Sequence, residues 1–466
     1  MTIRSLLVAN RGEIAVRIIR AAQAMGIRTV QVYSAADADM LAVRLADEAV
    51  NIGPPAAKKS YLNIEAVIAA AKAAGVDAVH PGYGFLSENG DFADAVVAAG
   101  LTFIGPSGDA IRLLGDKVAA RAVAEKAGVP TVPGSAGRID DVKDACRIAE
   151  ETGFPVMIKA AAGGGGRGIR IVESMAELER QFPQASAEAA AAFGDGGLYL
   201  EKVITRARHV EVQILGDGEN VVHCFERECS LQRRRQKVWE EAPAVGLPAD
   251  IRARLCESAV ALARAVNYRG AGTVEYLYDE DARAFYFIEV NTRIQVEHPV
   301  TEMITGIDLV QEMIRVAGGE SLSVRQEDIR VGGHAIECRI NAENPASGFA
   351  PAPGTVTTLS VPEATGVRFD TMLYEGYAIP PFYDSLLGKL IVHGESRAAA
   401  IERLSQALEA LKIGGVATTI PLHVALAGDE SVRRGDVHTR FLEPWLSEGG
   451  EERIAALSGV ETEGQV

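Results

Sequence analysis

The sequence predicts a multi-domain protein of mixed α/β and α+β class. The chain has 466 residues, which is enough for about three domains. Residues 1–113 alternate between strand-like and helix-like runs, and residues 156–172 place two strand-like runs around a glycine-rich loop. We therefore expect an N-terminal domain with a doubly wound parallel sheet, a lid domain with a glycine-rich hairpin, and a C-terminal α+β domain.

Composition and charge narrow the classes of function. A net charge of −16 and a pI near 5.1 argue against nucleic acid or an anionic membrane as the main partner, since both attract basic surfaces. The five cysteines are scattered and form no C-x-x-C pair, which is typical of reduced thiols in the cytoplasm. No run of 18 apolar residues occurs, so we expect neither a membrane span nor an export signal.

The N-terminal domain is predicted over residues 1–113. Its strands are expected at residues 3–9, 28–34, 76–80 and 101–107, and its helices at residues 13–25 and 61–75. The loops ANRGE and HPGYGFLSEN would lie at strand C-terminal ends, where open α/β sheets bind ligands. For His80 in the second loop, we favour a structural hydrogen bond over a functional role.

A connecting helix and a lid domain follow. Residues 109–127 are predicted as one helix that carries Lys117, and we place the connecting segment at residues 114–130. The stretch GVPTVPGS contains two prolines and two glycines, which indicates a domain boundary. The lid domain is predicted at residues 131–203.

The lid is organised around VMIKAAAGGGGRGIRIV, in which Lys159 stands before four consecutive glycines and Arg167 after them. Glycine lets several backbone N–H groups approach one anion, which suits a polyphosphate. The loop matches GxGxxG, but that fingerprint opens a helix, whereas IRIV continues as a strand. A P-loop is excluded because no Lys-Ser or Lys-Thr follows. We therefore favour a β-hairpin lid over phosphates, with a disordered glycine linker as the alternative.

The domain at residues 204–330 begins with a strand whose polar side chains share one face. In RHVEVQIL, His209, Glu211 and Gln213 alternate with apolar residues, so this face either lines a cleft or is an ordinary solvated sheet face. A basic cluster follows, which either holds anionic substrates or is solvated surface charge: Arg227, Arg233, Arg234, Arg235 and Lys237.

The same domain carries a candidate metal site. The runs TVEYLY and AFYFIEVN form a predicted hairpin in which Glu289 and Asn291 share a face that Glu275 on the partner strand can reach. Two carboxylates and an amide oxygen suit Mg²⁺, which prefers oxygen ligands. Arg293, Gln295 and Glu297 continue this row at alternate positions, and a purely structural ion-pair row is the alternative.

The last part of the chain is predicted as an α+β domain at residues 331–446, packed onto the preceding domain. It contains a predicted helix at residues 397–411. Residues 447–466 form an acidic tail that we expect to be frayed.

Six stretches resemble motifs of biotin carboxylase, an ATP-grasp enzyme, and they occur in the family's order. They are ANRGEIA, HPGYGFLSEN, KAAAGGGGRG, EAPA, FIEVNTRIQVEHPVTE and HAIECRINAE. The resemblance covers nearly the whole chain and implies an ATP-grasp lid and catalytic domain between N-terminal and C-terminal biotin carboxylase domains. It also implies a two-step reaction, in which ATP activates bicarbonate as carboxyphosphate and the carboxyl group then passes to the ureido nitrogen of biotin.

The resemblance further implies roles for individual residues. The positions that match nucleotide-binding residues are Lys117, Lys159, Gly165, Gly166, Glu201, Lys202, Ile204, His209 and Arg235. Glu275, Glu289 and Asn291 match ligands of Mg²⁺ or Mn²⁺, expected as two ions. Those implied for catalysis, bicarbonate and biotin are Lys237, Arg293, Val296, the base Glu297 and the biotin-binding Arg339; Arg293 would also stabilise the biotin anion.

The chain departs from the family in three places. Arg235 stands where the family usually has His, Ala162 stands where a further glycine is common, and the turn between the two metal-site strands is longer than in many members.

The family's partners are implied in the same way. Because the sequence contains no Met-Lys-Met biotin-attachment signature, we expect the biotin carboxyl carrier protein and the carboxyltransferase on separate chains. A homodimer and an acetyl-CoA carboxylase complex are also implied. Two rival functions are another ATP-grasp ligase, which would lack the NTRIQVEHPVTE and ECRINAE pair, and a non-catalytic nucleotide-binding protein, which would lose Lys237, Arg293 or Glu297.

Overall fold

The computed structural model describes residues 2–135, 137–161 and 169–458. Within these ranges no helix is both long and apolar enough to cross a membrane. The fold is mixed α/β, as predicted, and its largest element is an eight-stranded antiparallel sheet.

The N-terminal part is a five-stranded parallel sheet with strand order β3-β2-β1-β4-β5. Its strands are β1 Ser5–Val8, β2 Arg28–Ser34, β3 Glu48–Gly53, β4 Ala78–His80 and β5 Thr102–Phe103. Its helices are α1 Gly12–Ala24, α2 Leu41–Leu45, α3 Ile64–Ala74 and α4 Gly90–Ala98. The predicted parallel sheet is confirmed. The strand β3 was not predicted, because as an edge strand it is half exposed and lacks a strong apolar pattern.

Two helices, α5 Gly108–Gly115 and α6 Lys117–Lys126, form the connection to the lid. The prediction of one continuous helix is therefore wrong. The side chain of Asp116 accepts hydrogen bonds from the backbone N–H groups of Val118 and Ala119, so it caps a new helix directly after Gly115.

The lid has a three-stranded antiparallel sheet with order β7-β6-β8. Its elements are β6 Val156–Ala160, β7 Ile169–Val172, β8 Leu198–Lys202, α7 Val142–Thr152 and α8 Met175–Phe193. Because IRIV forms β7, the predicted hairpin strands are confirmed, and the loop does not lead into a helix. The glycines between them, with Gly165, Gly166 and Arg167, lie outside the described residues.

The eight-stranded sheet has order β13-β12-β9-β10-β11-β14-β19-β18. Its first five strands in sequence are β9 Ala207–Asp217, β10 Val221–Arg233, β11 Gln236–Ala242, β12 Arg269–Asp279 and β13 Ala284–Asn291. The helices of this part are α9 Ala249–Ala265, α10 His298–Thr305 and α11 Leu309–Ala317. The predicted hairpin is the β12–β13 pair, with Glu275 opposite Glu289.

The C-terminal part continues the same sheet, because β14 pairs with β11. Its strands are β14 His334–Asn341, β15 Glu343–Asn344, β16 Ala350–Pro351, β17 Thr358–Ser360, β18 Val367–Thr371, β19 Leu386–Gly394 and β20 Lys412–Gly414. Its helices are α12 Arg397–Ala410, α13 Ile420–Ala427, α14 Glu430–Arg434, α15 Leu442–Trp445 and α16 Glu451–Leu457. The last part therefore shares a sheet with the preceding one, beyond merely packing on it.

The end of the chain differs from the prediction. The segment from Ser447 is helical as far as Leu457 rather than frayed, because Ile454 packs, fully buried, into the C-terminal core.

Candidate active site

A cleft of 1490 Å³ runs between the N-terminal part, the lid and the large sheet. Its lining includes every predicted site residue that the structure describes except Lys117: Lys159, Glu201, Lys202, Ile204, His209, Arg235, Lys237, Glu275, Glu289, Asn291, Arg293, Val296, Glu297 and Arg339. Residues far apart in sequence meet here because the sheet brings β9, β11, β12, β13 and β14 together.

Three glutamates form a row across adjacent strands of the sheet. Glu211 on β9 lies opposite Glu275 on β12, and Glu275 lies opposite Glu289 on β13. Directly opposite residues of antiparallel strands project to the same face. Glu211 and Glu275 are buried, so the interpretation of the β9 polar face as an ordinary solvated face is wrong and the cleft interpretation is confirmed.

Lys237 is the cation at the centre of this row. Its Nζ atom donates to Glu211 Oε2 at 2.6 Å, to Glu275 Oε1 at 2.9 Å and to Glu297 Oε1 at 2.6 Å. Burial disfavours the charged ammonium, but the three carboxylates raise its pKa well above the ordinary value. Lys237 therefore stays protonated and links the candidate metal ligands to Glu297.

Glu275, Glu289 and Asn291 fit a hard divalent cation. Their side chains supply carboxylate and amide oxygens from two paired strands to one end of the cleft. Burial and the neighbouring Glu275 raise the pKa of Glu289, whose carboxylate has Lys117 Nζ 3.7 Å away. A divalent cation between the two glutamates would remove this repulsion, and it would compete with Lys237 for Glu275.

His209 faces the same carboxylates. Its Nε2 atom lies 3.2 Å from Glu275 Oε2 and 3.6 Å from Glu211 Oε2. Burial would lower the pKa of His209, but Glu275 and Glu211 raise it to about 9. The imidazole is therefore a further positive group beside the row at neutral pH.

Glu297 and Glu240 share one arginine. Arg339 donates from Nε to Glu240 Oε1 at 2.6 Å and from Nη2 to Glu297 Oε2 at 3.0 Å. Burial alone would raise the pKa of Glu297, but Lys237 and Arg339 hold it below its ordinary value. Glu297 is thus ionised at neutral pH, as a general base must be before it accepts a proton.

Arg293 lies between the metal-site strand and the N-terminal part. Its Nη2 atom donates to Asn291 Oδ1 at 2.9 Å, and its Nε atom lies 3.0 Å from Glu88 Oε2. Glu88 belongs to the loop HPGYGFLSEN, so this predicted ligand loop does reach the site.

The predicted nucleotide-binding residues lie at the lid side of the cleft. Lys159 and Glu201, on the neighbouring strands β6 and β8, form an ion pair. Lys202 donates to the carbonyl groups of Gly153 and Phe154, both at 2.9 Å, so in this structure its ammonium holds the lid backbone. Arg235 is exposed in the tight turn between β10 and β11, where its φ of 68° is in the left-handed region.

The basic cluster proves to be divided. Arg227 is fully buried and belongs neither to a surface nor to an open substrate site. It donates hydrogen bonds to the side chains of Glu211, Gln213, Thr273, Gln295 and Thr301. It therefore fixes Glu211 and Gln295 from behind the row, a role that sequence reasoning missed.

Lys389 was also missed. It is fully buried on β19, where its Nζ atom donates to the carbonyl of Val296 at 2.8 Å and lies 3.1 Å from Glu13 Oε2 of α1. It thereby ties the loop that carries Val296 and Glu297 to the N-terminal part. A lysine inside the apolar run LLGKLIV was the available signal, since a lysine in a buried strand needs a partner.

His80 has the structural role that we favoured. It is fully buried, and its Nδ1 atom accepts the backbone N–H of Gly82 at 3.0 Å. Burial lowers the pKa of His80 to about 3, so it is neutral at every working pH.

Comparison with protein families gives three matches in chain order. They are the biotin carboxylase N-terminal domain at residues 2–111, the ATP binding domain of the carbamoyl-phosphate synthase L chain at residues 116–325, and the biotin carboxylase C-terminal domain at residues 337–444.

Individual proteins are similar over nearly the whole chain. Biotin carboxylase 1 of Bacillus subtilis (strain 168) is 52% identical over 444 residues, which cover 95% of this chain and 99% of that protein. A pyruvate carboxylase component from Methanothermobacter thermautotrophicus is 50% identical over 441 residues, covering 94% and 89%. The biotin carboxylase domain dimer of Hydrogenobacter thermophilus 2-oxoglutarate carboxylase, solved with MgADP, ADP and bicarbonate, has a TM-score of 0.88 and 48% identity, covering 97% of this chain and 99% of that chain.

Proposed function

Because the chain belongs to the biotin carboxylase family, we propose that it uses ATP and bicarbonate to carboxylate biotin on a carrier protein. As a member of this family it is an ATP-dependent ligase. The observation that carries the proposal is the placement of Lys237, which joins the glutamates of the candidate metal site to Glu297. Such a row can neutralise phosphates at one end and activate a small acid at the other.

In the first step, bicarbonate would bind at Lys237, Arg293 and the backbone of Val296. Glu297 would accept the bicarbonate proton, because its neighbouring cations keep it ionised. The freed oxygen would attack the γ-phosphorus of ATP, giving carboxyphosphate and ADP. Phosphoryl transfer of this kind needs mainly positioning and charge neutralisation.

Nucleotide and metal would be held at the lid side. The groups proposed for ATP are Lys117, Lys159, Glu201, Lys202, Ile204, His209, Arg235 and the glycines Gly165 and Gly166. Glu275, Glu289 and Asn291 would hold Mg²⁺ or Mn²⁺, as two ions, and a bound divalent ion supplies charge neutralisation for the transferring phosphoryl group.

In the second step, the carboxyl group would pass to the ureido nitrogen of biotin. Arg339 would bind biotin, since its guanidinium already lies in the cleft beside Glu297. Arg293 would stabilise the enolate-like biotin anion, because an arginine stays charged at every working pH.

We further propose that the enzyme is a cytoplasmic homodimer whose carrier and carboxyltransferase are separate chains, and that the complex carboxylates acetyl-CoA for fatty acid biosynthesis. All five cysteines are free thiols, which supports a reducing compartment. The absence of Met-Lys-Met from the sequence supports a separate carrier. Since two relatives are named for pyruvate and 2-oxoglutarate carboxylation, the native complex should be assayed with all three acceptors and labelled bicarbonate. Labelling of pyruvate or 2-oxoglutarate alone would overturn the acetyl-CoA assignment.

One assay tests the proposed reaction. ATP hydrolysis by the purified chain is expected to require bicarbonate and to increase with free biotin. Lys237→Gln should abolish the bicarbonate-dependent rate, whereas Lys412→Gln, at an exposed position, should leave it unchanged. Hydrolysis that is indifferent to bicarbonate would favour a different ATP-grasp ligase, and no hydrolysis at all would favour a non-catalytic nucleotide-binding protein.

A further inference from the structure

Two buried carboxyl groups, Glu240 and Glu337, lie side by side beneath α10. Glu240 on β11 is directly opposite Glu337 on β14, so their side chains project from the same face of the sheet. The helix α10 packs against β11, β14 and β19, and Glu297 immediately precedes its first residue. The pair therefore lies between the sheet and the segment that carries the candidate base.

The two carboxyl groups are short of hydrogen-bond donors. Glu240 and Glu337 are both 0% exposed. Glu240 accepts from Arg339 through Oε1 only, and its Oε2 atom has no partner among the described residues. Neither oxygen of Glu337 has a hydrogen-bond partner within the same described ranges. An ionised carboxylate in such surroundings is strongly disfavoured, whereas a protonated one is tolerated.

Few positive charges are available nearby. The charged groups that face the pair are Arg339, Lys237, Lys389 and Glu297. Lys237 is engaged by three other carboxylates, and Lys389 by Glu13 and the Val296 carbonyl. Arg339 serves both Glu240 and Glu297. Three carboxyl groups thus share little more than one cation, so at least one of them must be neutral.

The electrostatics agree on which group is neutral. Burial raises the pKa of Glu337 well above its ordinary value, although Lys389 opposes this. Burial also raises the pKa of Glu240 to about 7, with Glu297 adding to the effect and Arg339 opposing it. Glu297, by contrast, is held ionised by Lys237 and Arg339.

We propose that Glu240 is a positioning residue for Arg339, and that Glu240 and Glu337 form a buried carboxyl pair that shares one proton near neutral pH. This proposal deepens the proposed function and rests on it for the role of Arg339. When Glu297 has taken the proton of bicarbonate, its attraction for Arg339 weakens. Ionised Glu240 then keeps the guanidinium in the cleft, where biotin binds.

Glu240→Gln tests the positioning role, because the amide resembles the protonated acid and cannot ionise. We expect KM for free biotin to rise about tenfold, as for the loss of one charged hydrogen bond, with little change in KM for ATP. In the parent, kcat/KM for biotin should fall as pH falls through about 7, when Glu240 takes up its proton. The variant should lack this limb and resemble the parent at low pH. A variant with the parent's biotin KM and pH profile would overturn the proposal.

Glu241→Gln is the matched control. Glu241 is the next residue of β11, equally buried, but it bonds to His334 and Arg397 on the other face of the sheet. Its replacement should lower the Tm and leave the biotin pH profile unchanged. Loss of the limb in this control as well would show that any disturbance of β11 removes it, and would overturn the assignment to Glu240.

Infrared spectroscopy tests the carboxyl pair without any substrate. At about pH 8, the difference spectrum between the parent and Glu337→Gln should contain the C=O stretching band of a protonated carboxyl group. A second such band should appear in the parent, and not in Glu240→Gln, as the pH is lowered through about 7. Absence of both bands would overturn the proposal. Because no turnover is involved, this result is distinguishable from failure of the proposed function, which would appear as a parent without bicarbonate-dependent ATP hydrolysis.

Discussion

Lys237 and Glu297 are joined by a hydrogen bond of 2.6 Å, and the same ammonium holds Glu275 at 2.9 Å. One cation therefore sets the charge state of the candidate base while it occupies an oxygen of a candidate metal ligand. A divalent ion at Glu275 would draw that carboxylate away and leave the ammonium more available to bicarbonate. The metal site and the bicarbonate site are thus coupled through Lys237.

The first prediction concerns the pKa of Glu297. In Lys237→Gln the cation that most lowers this pKa is gone, so the acid limb of the residual bicarbonate-dependent ATP hydrolysis should move to higher pH. Lys237→Arg keeps the charge and should move the limb much less. The pH profiles of the three proteins decide the matter, and coincident limbs would show that Lys237 does not control Glu297.

The second prediction concerns the metal site. Glu289→Gln should raise the Mg²⁺ concentration needed for half-maximal ATP hydrolysis by about tenfold or more, because one anionic ligand is lost. Stability should change little, since Glu289 is partly exposed and its contact with Lys117 is long, at 3.7 Å. Asp281→Asn, in the exposed turn of the same hairpin, is the control. An unchanged Mg²⁺ requirement in Glu289→Gln would place the metal elsewhere.

The third prediction concerns acid stability. Burial would raise the pKa of Glu241, but Arg397 and His334 lower it to about 2. Because the folded pKa is below the unfolded one, this carboxylate stabilises the fold above about pH 4.5, and the contribution is lost as pH falls towards 2. We expect Glu241→Gln to reduce the free energy of unfolding at pH 7 by about 1 to 3 kcal/mol and by less at about pH 3. Urea unfolding at both pH values measures this, and an equal loss at both would contradict it.

Much of this architecture is local information. The strands β1, β2, β12 and β13 follow apolar periodicity, and the parity of Glu289 and Asn291 places both on one face without knowledge of the fold. The pairing of Glu275 with Glu289 needs only a hairpin. Strong local patterns therefore predicted the metal-site end of the row.

What the sequence could not predict depends on long-range pairing. Arg227 looks like one of several surface arginines until β9, β10 and β12 align and enclose it. Glu240 and Glu337 are nearly 100 residues apart, and only the β11–β14 pairing makes them neighbours. The continuity of the large sheet across the expected boundary near residue 330 was hidden for the same reason, since registers between distant strands carry no local signal.

The fourth prediction concerns Arg235, where the family usually has His. The side chain is exposed at the β10–β11 turn and lines the cleft, so its guanidinium can donate to phosphate or ribose oxygens. Arg235→Ala should raise KM for ATP by an amount worth about 1.5 to 3 kcal/mol, and Arg235→His should recover most of it near neutral pH. Arg206→Ala, an exposed arginine paired with Asp436, is the control. An unchanged KM in Arg235→Ala would place this residue outside the nucleotide site.

The last prediction concerns Arg227, whose guanidinium serves five acceptors in a fully buried position. Arg227→Lys keeps the positive charge, but one ammonium with three donors cannot reach acceptors arranged around a planar fork. Some of the side chains of Glu211, Gln213 and Gln295 would be left buried without a donor. We expect a loss of about 2 to 4 kcal/mol in the free energy of unfolding, measured in urea.

Catalysis should respond in a selective way to the same change. Because Arg227 holds Glu211 and Gln295 beside Lys237, its replacement should lower kcat for bicarbonate-dependent ATP hydrolysis more than it raises KM for ATP. Arg254→Lys, at an exposed position on α9, should change stability by less than about 0.5 kcal/mol and leave both constants unaltered. If Arg227→Lys unfolded at the parent's urea concentration with normal kcat, the buried arginine would not be organising the row, and the order of Glu211 and Lys237 would have to come from the strands alone.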